Sequence, residues 1–144
     1  METLKLDFDK ALLGVEAEEA VKPILELFFK VKLTKTDKYH YFDFIDDNLI
    51  YYELKSRSNK YNQYPTTMVG ANKVDMLKTL NKSGIFVFLF TDGLYYYKYD
   101  KTTTDPLVFA EGGRIDRGKK EIKKYCYIPI NLLKRIEYNL INSS

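Results

Sequence analysis

An unbroken apolar run over residues 85–90 constrains the fold more than any other feature of this sequence. Consecutive apolar residues bounded by turn signals are typical of a strand that is buried on both faces. Thr91-Asp92-Gly93 follows the run and predicts a hairpin turn into a further strand over residues 94–99. We therefore expect residues 85–90 to form a central strand of the sheet.

The segments on either side of this run alternate between helical and strand patterns. Residues 7–31 show the apolar spacing of a helix, although Pro23 should kink that helix or mark a helix start. Together the segments predict an α/β sandwich around a mixed sheet. The other assignments are strands over 39–45 and 49–56 joined by the turn Asp46-Asp47-Asn48, a loop over 57–66, a helix over 67–82, an irregular stretch over 100–124, a short strand over 125–128 and a C-terminal helix from about Pro129.

Length and composition exclude several classes of protein. The 144 residues fit one domain, and no run of about 18 apolar residues predicts a transmembrane helix, so no membrane partner is expected. The N-terminus lacks the pattern of a secretory signal. One cysteine and one histidine cannot form an internal disulfide or a Cys/His zinc site, and nothing supports His40 as a catalytic base. We expect a protein of a reducing, intracellular compartment.

Two groups of basic residues occur in a chain whose net charge is only +3. Such blocks often contact phosphates, although on charge alone a solvated face or flexible loop is the better interpretation. The 13 tyrosines could stack on bases, but we expect most to pack half-buried in strands. The basic groups are Lys55, Arg57, Lys60 and Lys73, followed by Arg114, Arg117, Lys119, Lys120, Lys123 and Lys124.

The pattern that carries chemistry is Asp43 on the first hairpin strand and Glu53-Leu54-Lys55 on the second. Side chains alternate along a strand, so Glu53 and Lys55 share a face. A three-residue loop over 46–48 would place Ile45 opposite Leu49 and bring Asp43 diagonal to Glu53, with Cα atoms roughly 7–8 Å apart. A two-residue loop would put the two carboxylates on opposite faces.

Two carboxylates, a backbone carbonyl and several waters are a typical ligand set for Mg²⁺. We therefore hypothesise that Asp43, Glu53 and the Leu54 carbonyl bind Mg²⁺ or Mn²⁺, which would activate water and neutralise charge on a phosphate. Lys55 would orient the nucleophilic water or stabilise the pentavalent transition state. The alternative is an ordinary ladder of charges on an amphipathic strand.

These residues resemble the PD-(D/E)XK nuclease superfamily, which includes restriction endonucleases, Holliday junction resolvases and recombination exonucleases. Asp43 matches the motif aspartate and Glu53-Leu54-Lys55 the (D/E)XK triplet, with Phe42 in place of the usual proline. The resemblance covers roughly residues 14–99. It implies a restriction-endonuclease-like α-β-β-β-α-β core, in which a central mixed sheet is flanked by helices, within a single nuclease-like domain over 1–144.

The resemblance also implies candidates outside the central motif. Many members carry a glutamate on the first helix that serves the metal site; Glu18 is the best match, with Glu16 and Glu19 as alternatives. Lys73 on the second helix would be catalytic, as a glutamine or lysine is in several subgroups, and a solvated helix lysine is an equal alternative. The residues expected to contact DNA are Arg57, Lys60, Tyr61, Thr66 and Thr67, with Arg114 and Arg117 on a loop.

Thr66 and Thr67 are expected to bind phosphate through their hydroxyls and the N-terminus of the following helix, with a simple helix cap as the favoured alternative.

The resemblance implies a Mg²⁺- or Mn²⁺-dependent deoxyribonuclease of DNA repair or recombination. The alternatives are a catalytically silent or partner-dependent nucleic-acid-binding subunit of the same fold, and a protein whose tyrosine-rich strands form a protein interface. The Lys-, Asn-, Ile- and Tyr-rich composition suggests an AT-rich genome, such as that of a large DNA virus, a phage or a low-GC bacterium. A viral protein would work in the host cytoplasm, and cleavage of both strands would favour a homodimer.

Overall fold

The computed structural model describes residues 5–6, 17–37, 40–116 and 119–140. Two α-helices and eleven strands lie in this part of the chain, together with one turn of 3-10 helix at Ile130–Leu132. In chain order they are β1 (Lys5–Leu6), α1 (Ala17–Phe29), β2 (Leu33–Lys35), β3 (Phe44–Asp46), β4 (Tyr51–Ser56), β5 (Thr66–Gly70), α2 (Ala71–Leu80), β6 (Gly84–Phe90), β7 (Gly93–Tyr99), β8 (Val108–Asp116), β9 (Lys119–Pro129), β10 (Lys134–Arg135) and β11 (Asn139–Leu140).

A six-stranded mixed sheet with the order β10-β7-β6-β4-β3-β2 organises the fold. β4 and β6 are parallel, and the other neighbours in this sheet are antiparallel. The order α1, β2 to β4, α2, β6 is the predicted α-β-β-β-α-β core, with β5 inserted before α2. β5, β9 and β8 form a separate three-stranded antiparallel sheet, called the small sheet below, and β1 pairs with β11.

Strand β6 confirms the prediction of a central strand, because all seven of its residues are buried. Its side chains divide between two cores, as the alternation of a strand requires. Ile85, Val87 and Leu89 pack in one core with the apolar face of α1. The three phenylalanines of β6 pack in the other core with α2 and the small sheet. The predicted hairpin from β6 into β7 is also present, with Phe90 paired to Gly93.

Helix α1 runs through Pro23 instead of starting there. Proline removes one backbone donor inside the helix, but Pro23 lies on the exposed side. The opposite face buries Val21, Ile24 and Leu25, and this packing holds the helix in place. Residues 7–16 of the predicted helix lie outside the described residues. None of the helices that the structure describes is long and apolar enough to cross a bilayer.

The predicted register of the first hairpin is wrong by two residues. Ile45 pairs with Tyr51, not Leu49, so the connecting loop covers residues 47–49 instead of 46–48. Leu49 adopts a left-handed conformation in that loop, with φ 63°. A shift of two residues keeps every side chain on its predicted face, because alternation has a period of two. The first strand is also shorter than predicted, since β3 begins only at Phe44.

Three other assignments are wrong for identifiable reasons. The first residues of the predicted helix over 67–82 belong to β5, where Thr67 and Val69 suit a strand paired with β9. The stretch over 100–124 is irregular only in its first part, because β8 begins at Val108 and forms a long hairpin with β9. Pro129 ends β9, and only the 3-10 turn follows it in place of the predicted C-terminal helix.

Candidate active site

Glu53 lies at the centre of a cluster of charged side chains on β4. Strand β4 lies between β3 and β6 in the sheet, and the Glu53 side chain is buried, with 6% of the residue exposed. Lys55 Nζ lies 3.5 Å from Glu53 Oε1, and Lys73 Nζ of α2 lies 3.3 Å from Oε2. The structure therefore places the acidic residue and the lysine of the triplet on one face, as predicted, and adds Lys73 to them.

Asp43 approaches this cluster from the chain just before β3. Its Oδ2 accepts a hydrogen bond of 2.8 Å from the Leu54 amide. Thr36 holds the same segment, because its amide and its hydroxyl both donate to the Asp43 carbonyl at 3.0 Å. Asp43 is thus fixed against the middle of the triplet by Thr36 on one side and by β4 on the other, where its own amide also donates to the Tyr52 carbonyl at 2.9 Å.

The Leu54 backbone faces the same edge of β4 as Asp43. Tyr51 and Arg57, at odd positions of this segment, donate their amides toward the β6 side. The backbone groups of even-numbered Leu54 therefore point toward the β3 side, because ladder groups alternate along a strand. The β3–β4 ladder ends at the Phe44 and Tyr52 pair, so the Leu54 carbonyl lies beyond the regular pairing.

Glu18 is the glutamate of the first helix that reaches the cluster. Burial and the nearby Asp43 carboxylate raise the pKa of Glu18, and its carboxyl group lies within hydrogen-bonding reach of Asp43. Lys35 of β2 partly offsets this from 3.6 Å. Glu19 is exposed, and Glu16 lies outside the described residues. The geometry therefore favours Glu18 over Glu19.

The carboxylates of this cluster are crowded enough to perturb one another. Burial, followed by the charge of Asp43, raises the pKa of Glu53, and the two lysines lower it by less. Glu53 Oε2 is buried and makes no well-aligned hydrogen bond within the described residues, although the Lys73 ammonium lies 3.3 Å away as its charge partner. A divalent cation would relieve the repulsion between the Asp43 and Glu53 carboxylates.

The donor set fits such a cation in its chemistry, though not as a closed cage. Within the described residues, no three side chains of the His, Cys, Asp or Glu type are grouped closely enough to hold an ion between them. Mg²⁺ is commonly held by one or two carboxylates and keeps several waters. Asp43, Glu53 and the Leu54 carbonyl are consistent with that mode of binding.

Lys73 links the cluster to an aromatic segment before Asp43. Its ammonium donates to the Tyr41 carbonyl and lies 5.6 Å from the centre of the Tyr41 ring and 5.7 Å from that of Phe42. Phe42 stacks on Tyr51 at 5.1 Å, which anchors this segment on β4. Lys73 is therefore a packed, partly buried residue of the site and not a solvated helix lysine.

A groove leads away from Lys55 along the small sheet. A cavity of about 650 Å³ is lined by Lys55, Lys73, Lys123 and Lys124, among others. It shares Lys55 and Tyr125 with a cavity of about 520 Å³, which in turn shares Arg57 and Tyr127 with one of about 220 Å³. The three cavities thus form one continuous surface, called the basic groove below.

The remaining predicted residues lie in different places. Arg57 lines the basic groove and donates from Nη2 to the Met68 carbonyl at 2.6 Å, and burial lowers its pKa. Lys60 is exposed on the loop after β4. The prediction for Tyr61 is not supported, because its hydroxyl donates to the Ile130 carbonyl at 3.2 Å and its ring stacks on Tyr95 at 4.0 Å. It therefore secures the loop.

Thr66 and Thr67 do not lie at a helix N-terminus, so neither the predicted phosphate contact with that N-terminus nor the alternative of a helix cap is present. Both residues lie in β5, and Gly70 is the N-cap of α2. The two threonines instead line the cavity of about 220 Å³ at the far end of the basic groove. Arg114 lies in β8, paired with Glu121, instead of on a loop, and Arg117 lies outside the described residues.

Sequence reasoning missed the aromatic part of the groove. Tyr125 and Tyr127 lie in the short strand predicted over 125–128, and Lys123 and Lys124 lie in the second basic group, so the sequence alone does not place these residues along one groove. The alternation of polar residues with Cys126 and Ile128, which are buried, is the signal that one face of β9 points outward.

The sequence of residues 12–136 matches the family described as "Phage putative PDDEXK endonuclease". The chain belongs to this family. The match includes α1, the triplet on β4, and all strands of the six-stranded sheet and of the small sheet. Membership in the phage PD-(D/E)XK family agrees with the resemblance seen in the motif residues and with the α-β-β-β-α-β core. No curated protein and no solved structure matches the chain significantly.

Proposed function

We propose that this PD-(D/E)XK protein is a Mg²⁺-dependent nuclease that hydrolyses phosphodiester bonds of DNA. The observation that carries the proposal is the position of Glu53, which lies between Lys55 and Lys73 and is crowded by Asp43. Perturbed carboxyl pKa values caused by burial and a neighbouring charge are typical of functional sites. The alternative interpretation, an ordinary row of charged side chains on an amphipathic strand, would instead leave Glu53 exposed to solvent.

Asp43, Glu53 and the Leu54 carbonyl would hold the cation, and Glu18 would contribute through Asp43. When bound, a divalent cation supplies a more acidic water and neutralises charge on the scissile phosphate. The fixed contacts of Asp43 with Thr36 and with the Leu54 amide keep its position independent of the substrate. Such fixed positions reduce the reorganisation that the reaction would otherwise need.

Lys55 and Lys73 have different roles in this proposal. Lys55 is about one-third exposed and lines the basic groove, so its ammonium can reach a phosphate or the attacking water. Lys73 is less exposed and is held by the Tyr41 carbonyl. We assign Lys55 to the reacting phosphate and Lys73 to the orientation of Glu53.

The basic groove is the proposed binding site of the nucleic acid. Lys55, Lys123, Lys124 and Arg57 provide cationic groups along it, and phosphate contacts of this kind dominate the affinity of proteins for DNA. The described part of the groove begins at the carboxylate cluster and continues along β9. A bound strand would thus place one phosphate near Lys55 and others near the lysines of β9.

A cleavage assay on supercoiled plasmid, single-stranded and branched DNA with Mg²⁺ or Mn²⁺ tests the proposal. Lys55→Ala and Asp43→Asn should each lower the rate by at least about a hundredfold, since each removes a group that acts on the reacting phosphate or its cation. Lys98→Ala is the matched control, because Lys98 is an exposed lysine on β7 of the same sheet.

Equal cleavage by the wild type and Lys55→Ala would show that the assignment of the site is wrong. If neither protein cuts any substrate but both bind DNA at low salt, the chain would be a binding subunit of the same fold. Failure to bind nucleic acid at low salt would instead favour a protein interface, because phosphate contacts are strongest under those conditions.

A further inference from the structure

The outer face of the small sheet is aromatic and apolar. Tyr125 and Tyr127 alternate with Cys126 and Ile128, which are buried, so the two tyrosines lie side by side on the outer face. Met68 and Val108 pair with Tyr127 from the two neighbouring strands and are 37% and 59% exposed. Exposed apolar surface of this kind commonly marks a binding site.

A glycine on β8 allows the tyrosine rings to lie close to the sheet. Gly112 pairs with Lys123, and a Cβ atom built on it would lie 2.7 Å from the Tyr127 hydroxyl and 3.1 Å from Cδ2 of Tyr125. Both tyrosines therefore lean over Gly112, and their rings cover the backbone of the neighbouring strand. Any side chain at this position would push the rings away.

Positive charge surrounds this aromatic face. Lys123 and Lys124 are exposed at one end, where the cavity of about 650 Å³ begins. Arg57 lies on the side nearest β4, close enough to Tyr125 to interact with it electrostatically. At the far end, Tyr64 is 54% exposed and lines the cavity of about 220 Å³. The face thus offers ring surfaces for bases and cations for phosphates.

We propose that Tyr125 and Tyr127 form a stacking platform for unpaired nucleobases, so the preferred substrate carries a single-stranded segment that runs from this platform to Lys55. Aromatic rings on an open sheet stack on bases of any sequence, and each stacked base is stabilised appreciably. A base inside a duplex has both faces covered by its neighbours and cannot stack in this way. A flap, an overhang or a branched junction supplies such a segment.

The inference deepens the proposed nuclease function but can be tested without catalysis. Binding of a fluorescent single-stranded oligonucleotide and of a blunt duplex of equal length is measured by anisotropy in EDTA at one fixed salt concentration. We expect the wild type to bind the single strand at least about tenfold more tightly. Tyr125→Leu and Tyr127→Leu should each weaken single-strand binding roughly ten- to hundredfold, and should weaken duplex binding less than twofold.

Three further variants separate stacking from loss of structure. Tyr125→Phe and Tyr127→Phe keep the rings and should bind within about twofold of the wild type. Gly112→Ala keeps both tyrosines but displaces them, so it should weaken single-strand binding as the leucine variants do. Thermal unfolding of each variant shows whether the small sheet is intact, and the phenylalanine proteins decide the matter if a leucine variant does not fold.

Equal affinity for single strand and duplex, or unchanged binding by the leucine variants, would overturn the stacking platform. Lys98→Ala is tested in parallel and should retain the preference for single strands, because Lys98 is exposed on β7 and lines none of the cavities of the basic groove. A wild-type protein that cuts no substrate but keeps the tyrosine-dependent preference would contradict only the nuclease proposal. Normal cleavage without that preference would contradict only the platform.

Discussion

The Lys73 ammonium lies 3.3 Å from Oε2 of Glu53, while Lys55 approaches the other carboxylate oxygen at 3.5 Å. Both lysines lower the pKa of Glu53, but burial and the Asp43 charge raise it by more. Ionisation of Glu53 in the folded protein therefore carries a cost in free energy. Such a cost is expected where a residue is retained for function and not for stability.

Replacing Glu53 by glutamine should stabilise the metal-free protein at pH 8 by about 1 kcal/mol. The folded-state pKa of Glu53 lies above its unfolded value, so the penalty is complete above the folded-state pKa. It disappears as the pH falls below the unfolded value of about 4.3. Urea unfolding of the wild type and Glu53→Gln in EDTA, across this pH range, measures the difference.

Glu19→Gln is the matched control, because Glu19 is exposed on α1. Its stability should follow that of the wild type at every pH. A Glu53→Gln protein that is less stable than the wild type throughout the range would mean that the two lysine contacts outweigh burial and repulsion.

Lys73→Met should lower kcat roughly ten- to a hundredfold and change KM little, because Lys73 orients Glu53 and does not contact substrate. The same variant should raise the pKa of Glu53 further in the metal-free protein, since one of two lowering charges is lost. Carbon-13 NMR of the glutamate carboxyls measures that pKa. Lys78→Met provides the control on the exposed side of α2. Unchanged kcat together with an unchanged Glu53 pKa would refute the assignment.

Local patterns predicted the central elements well. Residues 85–90 are apolar without interruption, and a turn of two residues joins β6 to β7, so both strands follow from neighbouring residues alone. The common face of Glu53 and Lys55 could also be predicted from neighbouring residues alone. Glu53 and Lys55 share a face at any register, and the two-residue error in the hairpin preserved the relation of Asp43 to that face.

Longer-range pairing explains the elements that were missed. β5 pairs with β9 across about sixty residues of chain, so nothing next to Thr67 in sequence indicates its partner. In β9 the run of lysines before Tyr125 hides the alternation that the buried Cys126 and Ile128 reveal. After Pro129, Leu133 and Ile136 lie on either side of the short strand β10, and both are buried in the core. The chain therefore buries apolar residues here without an α-helix.

The Cys126 thiol should react with a disulfide reagent at least about a thousandfold more slowly in the native protein than in concentrated urea. Cys126 is fully buried in β9, and burial raises its pKa to about 11, so little thiolate forms at pH 8. Its reaction would then require opening of the small sheet. The absorbance of the released thiolate follows the rate, and labelling of native protein as fast as unfolded protein would show that β9 is open in solution.

Asp46 and Asp43 are close in sequence, but alanine substitution should mainly lower the stability at Asp46 and mainly abolish cleavage at Asp43. Asp46 is buried, and its carboxylate accepts the amides of Asn48 at 2.8 Å and Ile50 at 2.9 Å and the Tyr52 hydroxyl at 2.9 Å. Asp46→Ala leaves these donors unpaired and should lower the free energy of unfolding by about 3 kcal/mol. Asp43→Ala should abolish cleavage and change stability by less than about 1 kcal/mol, because it also relieves the crowding of Glu53.

Asp47→Ala is the control for the loop, since Asp47 is exposed and should shift stability by no more than about 0.5 kcal/mol. Urea unfolding and plasmid cleavage, measured on the same preparations, separate the two roles. A stable Asp46→Ala protein that no longer cuts DNA, beside an active Asp43→Ala protein, would mean that the roles are exchanged. The carboxylate under the hairpin loop would then be the motif aspartate, and the Asp43 contact with the Leu54 amide would be structural.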